Sequence, residues 1–349
     1  MGDAVSGGTL AEIAAGLFAD GKGLLAIDES TATCNTRFAA RGIPQTEDAR
    51  RTYRELIVTT PGLAASISGV ILYDETLRQR TLAGRLFVDV LADAGIVTGI
   101  KVDTGAKVLA GRPGETVTEG LDGLRGRLQD YRALGARFAK WRAVIALSDG
   151  APSRGCIDAN AHALARYAAL CQEAAIVPVV EAEVLMEGDH SLDRSRAATE
   201  DMLRAVFAQL HAQGVALDSI ILKPNMVLPG LACTLQPGVT EIADATLGCF
   251  MQVIPAAIAG IAFLSGGQSA QLASVRLNAI NLKAREPGSR VPWPLSFSFA
   301  RAIQQPALDI WRGNEAQVGA AQAALSRRAG FDRLARRGEY HETVESADA

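Results

Sequence analysis

The chain has 349 residues, with 35 Lys and Arg against 38 Asp and Glu and a formal net charge of −3. No sequence-wide basic field exists to draw nucleic acid or anionic lipid, so a small-molecule partner is the better expectation. Five cysteines, Cys34, Cys156, Cys171, Cys233 and Cys249, are odd in number, widely spaced and free of any CxxC pair. That argues against a disulfide framework or a zinc site and for a cytoplasmic protein.

The first residues, MGDAVSGGTLAEIAAGLFADGKG, have no basic stretch ahead of their mildly apolar run, so no secretory signal is expected. Gly2 with Ser6 fits the myristoylation pattern only loosely. Eight β-rich runs then follow in order: 23–28, 66–73, 97–102, 137–145, 176–184, 219–225, 260–267 and 294–301. Helical spacing fills the gaps, as in the stripe Leu121, Leu124, Leu128, Tyr131 ending near Gly135, and in Met202, Leu203, Val206, Phe207, Leu210 before Gly214. The uncharged stretch 249–264 is broken by Pro255 and Gly260, which reads as helix end, loop and buried strand rather than a membrane span. Strand and helix alternating eight times predict an α/β fold, a (β/α)8 TIM barrel, as one domain over 1–349. Residues 302–349 have no place among the eight units and are expected to form a helical extension that packs outside the barrel or flanks or covers its mouth.

In a barrel, residues two apart on a strand share a face, and the C-terminal strand ends converge on one site. The first run ends in Asp28, the third in Lys101, and the fourth carries Lys140 and Arg142. The fifth carries Glu181 and Glu183, the sixth ends in Lys223, the seventh in Ser265, Gly266 and Gly267, and the eighth in Arg301. Only the second lacks an obvious reactive group. A structural ion-pair network is a poor account of so many, because buried ion pairs contribute little net stability. Five cations exceed what one carboxylate needs and suit a doubly phosphorylated substrate. LSGGQS exposes backbone N–H groups for a phosphate beside Arg301.

A lysine becomes nucleophilic when desolvation or a neighbouring cation lowers its basicity, and Lys140 is the neighbour expected for Lys223. Amine attack on a ketone gives an iminium ion, an electron sink that lets a C–C bond one carbon away break as a base removes a hydroxyl proton. Glu181 and Asp28 are candidate bases. The alternative sink is a histidine-bound metal, but His162, His190, His211 and His341 form no HxxH pattern and none ends a strand. No metal and no cofactor are expected.

GLLAIDES, GVILYDETL, GIKVD, FAKWR, ILKPNMV, FLSGGQS and FSFAR occur in order. From about residue 8 to 325 the chain resembles the class I fructose-bisphosphate aldolases. The resemblance implies reversible cleavage of fructose 1,6-bisphosphate to dihydroxyacetone phosphate and glyceraldehyde 3-phosphate in glycolysis and gluconeogenesis, by a homotetramer. It implies that Lys223 is the Schiff-base lysine and Glu181 the acid and base. Lys140 stabilises the carbinolamine, Asp28 positions the C4 hydroxyl and Glu183 supports Lys223. Ser265, Gly266 and Arg301 match the C1-phosphate site, while Ser30, Thr33, Arg37 and Lys101 match the C6-phosphate side. Thr33 replaces a common Ser, Ala300 a common Gly beside the phosphate-binding arginine, and Ala182 a common Pro. The animal enzymes end in a tyrosine that assists proton exchange, whereas this chain ends SADA, with Tyr340 the one tyrosine beyond Tyr167. The alternatives kept open are another Schiff-base aldolase or a transaldolase, and a non-catalytic scaffold on the same fold.

Overall fold

The computed structural model describes residues 8–148, 150–341, 343 and 345. The strands are β1 Gly23–Ile27, β2 Ile67–Leu72, β3 Val97–Lys101, β4 Gly105–Val108, β5 Thr116–Glu119, β6 Phe138–Ile145, β7 Val177–Val184, β8 Ile221–Leu222, β9 Gly260–Phe263 and β10 Leu295–Phe299. Eight of them close a parallel barrel in the order β1-β10-β9-β8-β7-β6-β3-β2, so all eight predicted runs are barrel strands. Each barrel strand is sandwiched between the interior and a ring of helices, which is why VPVVEAEV in β7 is buried at every position. β4 and β5 form an antiparallel hairpin that the sequence reading missed.

β8 is short because of Pro224. The Lys223 N–H still donates to the Val180 carbonyl at 2.8 Å, continuing the pairing of Leu222 with Val180. Pro224 has no N–H to extend the ladder, so the strand stops with its lysine at the mouth. The crossover helices begin at hydroxyl caps. Ser153, Ser191 and Ser269 each accept the N–H three residues on, which fixes where each chain turns back along the barrel. The predicted stripe before Gly135 belongs to the helix Leu124–Ala133, with Leu121 just ahead of it. The stripe before Gly214 lies within Leu192–Ala212.

The base of the barrel is apolar. Phe138, Leu24, Val177, Val179, Ile221 and Ala262 pack there on Ala14, Leu17 and Phe18, so the helix Leu10–Gly16 and the residues after it plug the bottom. The large rings need space from their neighbours. A Cβ at Gly99 would stand 2.3 Å from the Phe138 ring, and one at Gly260 would stand 2.6 Å from Phe18.

One part of the expectation for 302–349 needs correcting, that none of it belongs to the eight units. The helix Arg301–Trp311 is the eighth crossover helix, and its Trp311 stacks on Tyr53 at 5.4 Å. The helix Val318–Arg336 lies outside the barrel, and its Arg336 donates to the carbonyls of Phe18 and Lys22 at the base. Among the described residues, none beyond Arg301 lines the mouth. The Gly2 and Ser6 pattern and the terminal SADA lie outside the described residues. No described helix is long and apolar enough to cross a membrane.

Candidate active site

The C-terminal strand ends surround a cavity of about 740 Å³. All fifteen residues singled out from the sequence line it: Asp28, Ser30, Thr33, Arg37, Lys101, Lys140, Arg142, Glu181, Glu183, Lys223, Ser265, Gly266, Gly267, Ala300 and Arg301. Strand register accounts for the meeting, since Arg142 pairs with Glu181 and Lys101 with Lys140 across the ladders, which puts Lys140 and Glu181 within reach of each other.

At the floor, four buried charges form one chain. Lys140 Nζ lies 2.7 Å from Asp28 Oδ2 and 3.1 Å from Glu181 Oε2, while Lys223 Nζ lies 3.0 Å from Glu181 Oε1. Lys140 thus meets Lys223 through a shared carboxylate, each ammonium on its own oxygen. Burial opposes the charge of Lys140, but Asp28 and Glu181 outweigh it and lift the ammonium above the usual lysine range. Burial alone would raise Glu181, yet Lys140 and Lys223 together hold it down to about 2. Glu181 Oε2 has ion-pair distance to Lys140 but accepts no hydrogen bond, so a lone pair stays available.

Around this floor the other cations differ in how far they are committed. Arg142 Nε is 2.6 Å from Glu183 Oε2. Glu183, expected to support Lys223, makes its ion pair with Arg142 among the described residues. Lys101 Nζ donates to the Asp103 side chain at 2.5 Å and to its carbonyl at 2.8 Å. Arg37 is bound to Glu29 and, at 3.0 Å, to Gln304, which leaves its Nε and Nη2 without partners. Arg301 makes no ion pair or side-chain hydrogen bond among the described residues, and its guanidinium lies against Gly267. Gly266 and Gly267 have φ of +58° and +85°, a turn that other residues resist. Ser30 caps the helix Thr31–Ala39 through the Thr33 N–H at 3.3 Å while facing the cavity.

Sequence reasoning passed over Tyr73, Glu29, Asp103 and Ser298, all of which line the cavity. Tyr73 follows β2 directly, so the second strand does bring a hydroxyl to the mouth. Asp103 stands two positions after Lys101, the same-face spacing used elsewhere, and Glu29 is the neighbour of Asp28 in IDES. Tyr340 is absent from the cavity. It is 3 % exposed, packs on Phe331 with centroids 6.3 Å apart, and its hydroxyl donates to Glu345 at 2.6 Å.

Comparison with known proteins decides the family. The model of the class-I fructose-bisphosphate aldolase family matches residues 9–349. The chain belongs to the class I fructose-bisphosphate aldolases. A probable class 1 aldolase of Xanthomonas campestris is 51% identical over 335 residues, covering 95% of this chain and 98% of that protein. Aldolase C of Macaca fascicularis is 46% identical over 341 residues, 97% of this chain and 93% of that one. A solved structure of Plasmodium falciparum aldolase, in complex with TRAP and a small-molecule inhibitor, superposes with a TM-score of 0.92. It shares 41% identity and covers 95% of each chain. The aldolase is therefore an enzyme, a carbon–carbon lyase acting on fructose bisphosphate, on the barrel foreseen from its eight apolar runs.

Proposed function

We propose that this aldolase cleaves fructose 1,6-bisphosphate without a metal, through a Schiff base on Lys223. The observation that carries the reading is the buried contact of 3.0 Å between Lys223 Nζ and Glu181 Oε1, with Lys140 on the other oxygen. Lys223 hands a proton to Glu181, and its free amine adds to the C2 carbonyl. As Lys223 loses its charge, one of the three cations depressing Glu181 disappears, so the carboxylate grows more basic as it accepts. The carbinolamine oxygen takes one proton from the attacking nitrogen and one back from Glu181, and leaves as water, forming the iminium.

The C3–C4 bond then breaks. Its electron pair flows to the iminium nitrogen to give an enamine, and the C4 hydroxyl proton passes to Glu181, freeing glyceraldehyde 3-phosphate. Protonation at C3 and hydrolysis release dihydroxyacetone phosphate and restore Lys223. Lys140, held cationic, stabilises the carbinolamine oxygen, and Asp28 positions the C4 hydroxyl. Arg301, Ser265, Gly266, Gly267 and the Ala300 backbone hold the C1 phosphate, while Ser30, Thr33, Arg37 and Lys101 face the C6 phosphate. Glu183 steadies Arg142 at the rim.

The test is borohydride reduction with fructose 1,6-bisphosphate in EDTA, followed by peptide mass spectrometry. A sugar-phosphate adduct on Lys223 is expected; no adduct, with cleavage lost in EDTA, sinks the reading. Family membership supports a homotetramer acting in glycolysis and gluconeogenesis. The 47% identical cytosolic aldolase of Arabidopsis thaliana supports a cytoplasmic location.

A further inference from the structure

At the opposite end of the barrel a second cavity, of about 750 Å³, lies among Lys22, Ala65, Arg285, Arg333, Arg336 and Arg337. Lys22 and Ala65 precede β1 and β2, and Arg285 follows the helix ahead of β10, which puts the opening at the base. It shares no residue with the mouth cavity. Two carboxylates also line it: Asp20 lies 3.8 Å from Lys22, and Glu339 lies 3.1 Å from Arg337.

The other three cations have no carboxylate partner among the described residues. Arg336 is 6 % exposed, and its guanidinium donates only to carbonyls, those of Phe18 at 2.5 Å and of Lys22. Arg285 donates to the carbonyls of Arg336 at 2.8 Å and of Arg337. Arg333 donates to the Asp20 carbonyl at 3.3 Å, and its Nε is buried with no partner at all. Carbonyls satisfy N–H groups but do not cancel net charge, so the repulsion among buried Arg336, half-buried Arg333 and exposed Arg285 is left uncompensated. The effect reaches Arg336, which burial and Arg285 push down to about 10. In a chain of net charge −3 this surplus is local.

We infer that this basal cavity binds the phosphoryl group of a small soluble molecule. Three guanidiniums exceed what a carboxylate uses, whereas a phosphoryl dianion offers several oxygens to planar forks. The volume also admits more than bare phosphate.

Calorimetric titration of inorganic pyrophosphate into the full-length protein at low salt, wild type against R333Q/R337Q, tests the inference. Arg336 is left alone because it ties the plug to β1; R285Q serves as a second variant if the double one fails to fold. The wild type is expected to take up one equivalent per chain more than the variant, or to bind that equivalent about tenfold more tightly. The kcat and KM for fructose 1,6-bisphosphate should stay within about twofold, since the mouth is untouched. Superimposable isotherms overturn the site. So does an arginine-dependent sedimentation with phosphatidylserine vesicles without any change in pyrophosphate uptake, which would make the face a membrane contact.

Discussion

The two ends of the barrel are built from opposite materials. The mouth holds Lys223, Glu181, Lys140 and Asp28 in contact, with almost no water to screen them. The base interior holds Phe138, Phe18 and Leu17 over glycines, with no charge among them. The same strands supply both layers. Apolar packing at one end carries the cost of charge at the other, because buried ion pairs roughly break even and aromatic burial does not. Chemistry and stability should therefore separate by barrel end.

The sharpest break of that division is K223M, which removes the proposed nucleophile. Activity should fall about 10⁴- to 10⁶-fold while the variant stays folded, and borohydride labelling should vanish. Retained labelling would move the nucleophile elsewhere. E181Q keeps the shape but loses the proton carrier, so kcat should drop about 10²- to 10⁴-fold, read by coupled assay against circular dichroism. At the base, F138A should cost about 3–5 kcal/mol in urea unfolding yet leave the kcat of the folded enzyme near wild type. A large kcat loss there would mean the two ends are coupled.

The smallest effect belongs to neither end. Asp332, on the outer helix, is lifted by burial from its usual 3.8 to about 6. Between those values the unfolded chain has released a proton that the folded chain keeps. Stability should thus decline as pH rises through that window and level off above it. D332N should flatten the slope in urea melts taken across it; an unchanged slope would assign it to another group.

The parts legible in the sequence were those with one strong cause. Buried parallel strands read as apolar runs, and a charged residue closing such a run, as Lys223 closes SIILK, has few explanations. The hairpin β4–β5 left no such mark, being short and largely solvent-facing. The plug escaped because LAEIAAGLF reads as an ordinary amphipathic helix until its burial against Phe138 is known. Tyr73 and Asp103 stand at the right spacing in the sequence, but a neutral hydroxyl and a single carboxylate mark a site less plainly than its cations do. The Arg301–Trp311 helix was folded into the tail because the boundary was drawn at the last strand, although every barrel strand owes itself a helix.

The plugged base has one more consequence. With Leu17, Phe18 and Phe138 closing the bottom, the mouth is the doorway among the described residues, and traffic through it must queue. In the proposed Schiff-base reaction the half of the sugar without a covalent tether would leave first, and the half fastened to Lys223 would wait behind it. In the reverse direction the ketone phosphate must enter before the aldehyde. On that reading an accumulated aldehyde product would obstruct turnover from outside and make the enzyme sensitive to how quickly its surroundings clear the exit.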